Sequence, residues 1–416
     1  QVWDGSIATG FAGGSGTKED PYLISTGAQL ALLAYEVRYV EDSEYCSKYY
    51  QLTNSINLGG LEWEPIGYRW SVGSAKYSFR GHFDGNGYEV SNFKITRAIC
   101  VAEYADDVAL GLFGYADSAY IVNLGVTDLL IQVDAWCEIS VGGLVGYAEN
   151  VNITNCYTSG TIAVSSNVAA DVGGLVGKAT PNMGYNITAT AVISNCHSSV
   201  DVHAAVPEID EADPYSGTVY AGGLIGLFAN KEINNCYATG SVSAFSCETA
   251  GDGGLTGTLG GGMVEFESLA VNCYATGNVN ALSSYFAYAG GLVGIATENG
   301  MIHSCHASGD VIAEVTNDTV SDKFILGPTA KAGGLAGTGY TIRDSYATGH
   351  VEATCNHPDP ESTIEAGGLA GESRAQISHS YATGTVHAEG TAIIYIGGLI
   401  GTGGVDGSIY NCYAQG

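Results

Sequence analysis

Cysteine and histidine carry the most distinctive chemistry in this 416-residue chain, which has 11 cysteines and 9 histidines. Converging thiolates and imidazoles could bind zinc, and paired thiols could form disulfides. Most of the cysteines, however, return at one position of an internal repeat, where serine replaces cysteine in two copies. Serine in register favours a column of small buried residues, so we expect buried thiols rather than a metal site. The positions are Cys156, Cys196, Cys236, Cys273, Cys305, Ser345, Ser380 and Cys412.

The remaining cysteines fall outside this column. Cys137, Cys247 and Cys355 lie near or in a later strand of the repeat and could form a second, partial column. Cys46 and Cys100 precede the regular repeats. They are the pair that we favour if the chain contains a disulfide.

His303, Cys305 and His306 occur within four residues and could suggest a metal site. Adjacent residues of a strand point to opposite faces, so these three side chains should not converge. The repeat and loop patterns of calcium-binding proteins are absent from the sequence. We therefore predict no cofactor and leave only incidental calcium between acidic loops open.

Paired carboxylates would indicate polysaccharide cleavage if they faced one groove about 5–10 Å apart. The one compact mixture of acidic and basic side chains precedes the repeats and consists of Glu64, Arg80, His82 and Asp84. Asp84 is explained more simply as a turn residue. We therefore predict no catalytic residues.

Three acidic insertions, 207–217, 316–328 and 355–365, are the candidate ligand-binding loops. All three leave the same corner of the repeat, so they should project from one edge of the molecule. Long loops on one face of a repeat protein often bind ligands, although tolerated decoration is the alternative. The candidate residues are Glu208, Asp210, Glu211, Asp213, Asp318, Asp322, Asp359 and Glu361.

The chain carries 43 acidic and 14 basic residues, a formal net charge of −29. A nucleic-acid-binding protein needs a basic face, so nucleic acid is excluded as a partner. No apolar run reaches the roughly 18 residues of a membrane span, so we expect no direct membrane insertion. The sequence begins at Gln1 without a basic and apolar leader. We expect a bacterial secreted or cell-surface protein whose signal peptide has been removed.

Two signatures alternate along the chain. Gly-Gly-Leu-x-Gly occurs eight times, with a variant Gly-Leu-Phe-Gly at 111–114, and each of the eight copies is followed by the cysteine column and then a ring residue. The leucines are Leu144, Leu175, Leu224, Leu255, Leu292, Leu335, Leu369 and Leu399. The ring residues are Tyr157, His197, Tyr237, Tyr274, His306, Tyr346, Tyr381 and Tyr413.

Repeats this short cannot bury their apolar residues alone, so consecutive copies must stack as in a solenoid. We predict an all-β fold, a right-handed parallel β-helix of about nine to eleven coils. Each repeat should supply three strands: the Gly-Gly-Leu segment, the Ile-x-Asn-Cys-Tyr-Ala segment and the following Val-x-Ala. Equivalent residues should form columns, and we expect the cysteine and tyrosine columns to be buried. Asn before the cysteine should form a left-handed corner, because Ile233 and Cys236 cannot otherwise share one face.

The chain ends differ from the repeats. Residues 26–37 predict a short helix with Thr26 and Gln29 as a capping box, which would cover the first coil. We divide the chain into an N-terminal segment with this helix (1–50), irregular first coils (51–125) and the regular repeats (126–416). Because the last repeat stops without a third strand, we expect the protein to continue into, or anchor through, another domain.

The GGLVG and NCYATG segments resemble the GLUG motif, a repeat of bacterial cell-surface and adhesin-like proteins that also occurs in IgA-specific metalloendopeptidases. The stretch from Gly13, including WEPIG and FRGHFDGNGYEVSNFKI, resembles the part that often precedes such repeats. The resemblance implies a stalk or display scaffold. It brings no catalysis, because the zinc-binding His-Glu-x-x-His sequence is absent.

We therefore expect a non-catalytic surface or secreted scaffold of the adhesin type, with a host protein or glycan as its partner. The alternative is a carbohydrate-active or sugar-binding β-helix, which would show a cleft lined by paired carboxylates and exposed aromatic residues. A third hypothesis is ice binding, which would need a flat and exposed Ser/Thr column formed by Thr239, Thr276, Ser308, Thr348 and Thr383.

Overall fold

The computed structural model describes residues 2–41, 43–68, 77–97, 108–181, 190–208, 217–260, 267–316, 327–404 and 407–416. Over these ranges the chain folds as a parallel β-helix whose coils contribute strands to four long sheets. Strands of consecutive coils pair in parallel and in register, for example Val242 with Val279 and Val279 with Val311. The prediction of a parallel β-helix is confirmed.

The four sheets are numbered in the order in which a coil passes through them. Sheet 1 contains Tyr22–Ile24, Tyr49–Leu52, His82–Asp84, Tyr120–Val122, Asn152–Thr154, Val192–Ser194, Glu232–Asn234, Ser268–Val271, Gly300–His303, Thr341–Arg343, Gln376–Ser378 and Ser408–Tyr410. Sheet 2 contains Ile56–Asn57, Glu89–Ser91, Lys94–Ile95, Gly125–Ala135, Tyr157–Ser166, His197–Val206, Tyr237–Ala238, Val242–Ser246, Tyr274–Ala275, Val279–Ser283, His306–Ala307, Val311–Val315, Tyr346–Ala347, Val351–Cys355, Tyr381–Ala382, Val386–Gly390 and Tyr413–Ala414.

Sheets 3 and 4 lie on either side of the Gly-Gly-Leu segment. Sheet 3 contains Val108–Leu110, Ile139–Gly142, Ala169–Gly173, Thr218–Gly222, Thr249–Gly253, Phe286–Gly290, Thr329–Gly333, Thr363–Gly367 and Ile393–Gly397. Sheet 4 contains Phe113–Asp117, Val145–Glu149, Val176–Thr180, Ile225–Phe228, Thr256–Leu259, Val293–Ala296, Ala336–Gly339, Ala370–Ser373 and Ile400–Gly403.

The predicted three strands per repeat need correction, because the Gly-Gly-Leu segment is a turn rather than a strand. In the copy around Leu224, sheet 3 ends at Gly222 and sheet 4 begins at Ile225. The second predicted segment is also divided, since Asn235 and Cys236 separate a strand of sheet 1 from a strand of sheet 2. Glycine interrupts the strand at the Gly-Gly-Leu turn, and an asparagine in the left-handed conformation interrupts it before the cysteine.

The leucines of the repeats lie one above another. The backbone N–H of each donates to the carbonyl of the next leucine along the axis, from Leu144 to Leu399, at 2.8–2.9 Å. Seven of the eight are completely buried, and Leu399 is partly buried. This column confirms that equivalent residues of consecutive coils stack.

The corner before the cysteine column has the predicted left-handed conformation. Asn155, Asn195, Asn235, Asn272 and Asn411 have φ between 52° and 56°. Asparagine tolerates this region better than other side chains because its short amide can bond locally. Asn235 thereby turns the chain so that Ile233 and Cys236 are both buried.

The N-terminal helix α1 spans Gly27–Tyr39 and follows Thr26, whose side chain accepts a hydrogen bond from the Gln29 backbone N–H. The reciprocal bond of the box is displaced by one residue, because Gln29 Oε1 accepts from the Ser25 N–H at 2.8 Å. The apolar stripe of helix α1 packs into the same core as the first coils and consists of Leu30, Leu33, Ala34 and Val37.

Candidate functional site

The cysteine column is buried at seven of its eight positions, as the sequence predicts, whereas Cys412 is half-buried. The Cys236 Sγ accepts from the Cys196 N–H at 3.4 Å and donates to the Asn234 carbonyl at 3.2 Å. Ser345 makes the same two bonds, accepting from the Cys305 N–H and donating to the Arg343 carbonyl. Burial raises the pKa of the Cys196, Cys236 and Cys305 thiols, which favours their protonated form.

The predictions for the other cysteines are wrong. Cys46 is a buried thiol outside any disulfide, whereas Cys137 is disulfide-bonded; Cys100 lies outside the described residues. Cys355 pairs in register with Val315, whereas Cys247 lies one residue beyond the equivalent Ser246. The two therefore occupy different columns and form no second thiol ladder.

The column of rings is stacked, but it is not buried as predicted. Consecutive ring centroids lie 4.7–5.1 Å apart, with ring planes within 9° of parallel, from Tyr157 to Tyr413. All eight rings are half-buried or exposed. The physical reason is strand alternation: each ring follows an inward cysteine and must point outward. Burial lowers the pKa of His197 and His306 within this stack.

The candidate acidic loops follow strands of sheet 2 and precede strands of sheet 3. Glu208 is exposed just after Val206. Asp359 is half-buried, Glu361 is exposed, and Asp359 Oδ1 accepts from the Glu361 N–H at 2.8 Å. The other candidates, Asp210, Glu211, Asp213, Asp318 and Asp322, lie outside the described residues, so a binding role for these loops stays a prediction.

The acidic and basic residues before the repeats have separate partners. Glu64 accepts a hydrogen bond from the Tyr39 hydroxyl, whereas Asp84 Oδ1 accepts from the Asn86 N–H at 2.8 Å and from Asn123 Nδ2 at 3.0 Å. Asp84 is therefore a turn residue, as expected. The His82 ring stacks on Tyr120, with 6.0 Å between their centroids, and burial lowers its pKa.

A groove that the sequence analysis missed runs along the outside of the β-helix between sheets 3 and 4. At the last glycine of the Gly-Gly-Leu-x-Gly motif the two sheets approach so closely that a Cβ on Gly226 would lie 2.5 Å from the Val172 N. Side chains that point away from the core on the two sheets consequently meet. Lys178 of sheet 4 contacts Asp171 of sheet 3 at 3.0 Å.

The N-terminal half of this groove is filled. Tyr115 and Tyr147 are buried there, and the Tyr115 hydroxyl donates to Glu149 Oε2 at 2.5 Å. Lys178 bonds to Glu138 at 2.9 Å, and its Nζ lies 5.6 Å from the Tyr147 ring centroid. Packed rings and ion pairs occupy the groove at these coils.

The C-terminal half of the groove opens into a cleft of ≈ 780 Å³. Its walls come from both sheets, and the residues that define it here are Tyr220, Tyr288, Ile295, Lys331, Thr338 and Glu372. Burial raises the pKa of Tyr220 to about 12 and also raises that of Tyr288. Both phenols are therefore neutral hydrogen-bonding groups at neutral pH.

Charged side chains in the cleft neutralise one another. Lys331 Nζ contacts Glu365 Oε2 at 3.2 Å and also binds Glu372, while Arg374 Nε donates to Glu372 Oε1 at 2.6 Å. Burial alone would raise the pKa of Glu372, but the hydrogen bonds from Arg374 and the charge of Lys331 lower it. The cleft thus offers fixed donors and acceptors with little net charge.

Alternation along sheets 3 and 4 was the available signal for this cleft. Tyr220, Gly251, Tyr288, Lys331 and Glu365 all stand four residues before the repeat leucine. Their column is large and polar beside an inward column of small residues. The sequence could not show that the turn folds the outer faces of two sheets together.

Among the described residues, no group of three or more His, Cys, Asp or Glu side chains is placed to hold a metal ion. His303 instead contacts Asp344 at 3.2 Å, Cys305 is buried, and His306 belongs to the outward stack. The ranges that the structure describes also contain no helix long and apolar enough to cross a membrane.

The fold and its columns define a parallel β-helix repeat protein. Residues 138–163 and 287–312 match the GLUG motif, and each match spans a Gly-Gly-Leu turn and the cysteine column that follows. These two matches confirm the resemblance to the GLUG motif at these two segments. In this structure the motif comprises the turn that forms the groove and the strand that starts the ring stack.

Two relatives resemble parts of this chain. Over 153 residues it is 34% identical to a provisionally named Gly-rich membrane protein of Evansella cellulosilytica, covering 34% of this chain and 15% of that protein. Over 197 residues it is 30% identical to halomucin of Haloquadratum walsbyi, covering 45% of this chain and 2% of halomucin. The chain thus spans a small part of either relative.

The crystal structure of a provisionally named immunoglobulin A1 protease from Bacteroides ovatus has the same fold. It superimposes with a TM-score of 0.50 at 22% identity, over 75% of this chain and 82% of that chain. At this level of identity the similarity concerns the fold alone.

Proposed function

We propose that this chain is a non-catalytic, surface-exposed rod that attaches to a glycan or protein of a host or neighbouring cell. The observation that carries the proposal is the unbroken leucine ladder from Leu144 to Leu399, in which every coil is bonded to the next. With about 4.8 Å per coil, nine stacked coils extend for about 45 Å. Such a rod holds outward-facing side chains in fixed register.

The relatives support a surface location. One is named as a membrane protein, and the chain corresponds to 15% of that relative and 2% of halomucin, which suits a module within a long protein. The net charge of −29 also keeps such a rod from collapsing onto acidic surfaces.

An antibody against the chain tests the location on intact cells of the organism that makes it. We expect surface labelling that protease treatment of whole cells removes. Immobilised chain should in addition retain host cells more than a matched coat of albumin. Labelling that requires permeabilised cells would contradict the surface location, and equal retention on both coats would contradict attachment.

Polysaccharide cleavage is the second candidate, and the carboxylates of Glu365 and Glu372 in one cleft favour it. Both carboxylates, however, contact the Lys331 ammonium. A glycosidase needs one protonated and one ionised carboxyl, whereas a shared cation favours the ionised form of both. We therefore expect no new reducing ends or unsaturated products from a polysaccharide panel. Products that disappear in Glu372→Gln would establish the enzyme instead.

A further inference from the structure

We propose that the cleft between sheets 3 and 4 binds an uncharged oligosaccharide along the rod axis. This inference rests on the proposed attachment function and identifies the surface that performs it. A cleft of ≈ 780 Å³ lies within the range of about 300–1,000 Å³ typical of small-ligand sites. It continues over several coils, which suits a chain-like ligand.

The apolar contacts come from two tyrosines separated by a glycine. Tyr220, Gly251 and Tyr288 pair in register on consecutive strands of sheet 3. A Cβ at Gly251 would lie 2.9 Å from Tyr220 Cδ1 and 3.0 Å from Ile295 Cδ1. Glycine therefore lets the Tyr220 ring and Ile295 converge, and the half-buried rings offer the apolar surface that the C–H faces of a sugar contact.

The polar contacts are held in place before any ligand arrives. Lys331 is buried and fixed between Glu365 and Glu372, and the exposed Arg374 holds Glu372 from the other side. Thr297 also lines the cleft, and its buried Oγ1 has no hydrogen-bond partner among the described residues. Hydroxyl groups both donate and accept, so a sugar satisfies such a mixed set without moving it.

The charge of the cleft selects against ionic ligands. Two cations, Lys331 and Arg374, are matched by Glu365 and Glu372, and Glu298 adds another carboxylate at the wall. Among the described residues that line the cleft, no cation is left to pair with a sulfate, phosphate or carboxylate of a ligand. The field of a chain with net charge −29 also repels acidic polymers. An uncharged oligosaccharide is therefore the ligand class that the cleft fits.

Titration calorimetry with the full chain tests this inference. The probes are neutral gluco-, xylo- and manno-oligosaccharides of six units, with oligogalacturonate and a sialylated oligosaccharide as charged counterparts. We expect at least one neutral probe to bind and the charged probes to bind at least about tenfold more weakly. Binding of charged probes alone, or of no probe, overturns the inference.

Variants locate the binding. Tyr288→Ala should weaken binding by about tenfold or more, because an aromatic anchor is lost, whereas Tyr288→Phe keeps the ring and should keep most of the affinity. Arg374→Ala changes an exposed residue, so the fold is retained while Glu372 loses its clamp, and binding should fall less. The matched control is Tyr274→Ala in the outward ring stack. Equal affinity of Tyr288→Ala and the original chain places the sugar elsewhere and overturns the cleft assignment.

These outcomes separate the inference from the proposed function. If the chain retains host cells but binds no oligosaccharide, the proposed role of the cleft is wrong and the proposed attachment function is supported. If the chain binds an oligosaccharide and cleaves it, binding in the cleft is supported and the proposal of a non-catalytic protein is wrong. Circular dichroism of each variant ensures that a loss of binding is read only on folded protein.

Discussion

The inward and outward columns of the same coils follow different rules. The inward leucine column is completely buried over seven consecutive copies, and the cysteine column contains only cysteine or serine. The outward ring column accepts tyrosine or histidine, and its rings stack at 4.7–5.1 Å without being buried. The residue types at inward positions are thus limited by the volume available in the core. At outward positions they are limited only by the need to stack on the equivalent side chains of the coils above and below.

This difference separates stability from recognition. Replacing an inward residue changes the core that every coil shares, because interiors are close-packed. Replacing an outward residue changes a surface that the rod presents while leaving the coil intact. The groove between sheets 3 and 4 contains side chains of both kinds. The buried Tyr115 and Tyr147 fill one half of it, and the half-buried Tyr220 and Tyr288 line the other half.

The largest effect should follow truncation within the leucine column. Leu255→Ala removes a fully buried side chain and should lower the free energy of unfolding by about 2–5 kcal/mol. Denaturant unfolding followed by circular dichroism measures this change. Leu130→Ala is the outward control, because Leu130 is 41% exposed and should cost much less. Similar losses in the two variants would contradict the division into inward and outward columns.

The sequence predicts the columns well because identical residues recur at matching positions of the repeat. Leu224 over Leu255 and the left-handed Asn235 follow directly from this recurrence. The prediction that Tyr237 is buried is wrong: the ring does stack, but alternation after the inward Cys236 directs it outward. Stacking and burial are separate properties, and only the alternation of side chains along a strand indicates which of them are buried.

The groove could not be predicted because it depends on an angle between sheets. The sequence shows only that glycine recurs at the position of Gly226 in each repeat, whereas the 2.5 Å approach to the Val172 N appears when the coils are assembled. The ion pairs of Lys331 likewise join residues from neighbouring coils and both sheets. The residues of this site are far apart in the sequence, and none of them indicates a binding site by itself.

A second prediction concerns the exception within an inward column. Asp252 stands between Ala221 and Ala289 in register, is completely buried, and its Oδ1 has no hydrogen-bond partner in the described structure. Its Oδ2 accepts from the Ala244 N–H at 3.1 Å, so Asp252→Ala leaves that donor without its acceptor. Removing a buried carboxyl whose charged form burial disfavours should outweigh this loss, and we expect the free energy of unfolding at neutral pH to rise by roughly 1–3 kcal/mol. Denaturant unfolding at neutral pH measures the gain.

The pH dependence of the same variant gives an independent check. Burial raises the pKa of Asp252 well above its ordinary value. A carboxyl whose pKa is raised by folding contributes its stability below the unfolded pKa of about 3.9, and this contribution is lost as pH rises through the folded value. The advantage of Asp252→Ala should hence grow as pH increases from about 4. An advantage that is constant with pH would show that the carboxyl stays ionised.

Smaller effects are expected in the cysteine column. Cys236→Ser should change the free energy of unfolding by less than about 1.5 kcal/mol, because Ser345 makes the same bonds in its own coil. Cys236→Leu adds volume to a filled column and should cost about 1–3 kcal/mol. The two variants are compared by denaturant unfolding under reducing conditions. A larger loss for serine than for leucine would indicate that the thiol itself, rather than its size, is required.

The smallest effect should come from the histidines in the outward ring stack. Burial holds the pKa of His197 and His306 below the ordinary imidazole value. A group whose pKa is lowered by folding contributes stability above the unfolded pKa of about 6.5, and this contribution is lost as pH falls through the folded value. The double variant His197→Tyr, His306→Tyr should keep the stack and lose less thermal stability on acidification than the original chain. Tyr274→His places a further imidazole in the same stack and should lose more, so melting temperatures at neutral and mildly acidic pH should rank the three proteins. Equal losses in the three proteins would show that protonation of the ring column does not disturb the coils.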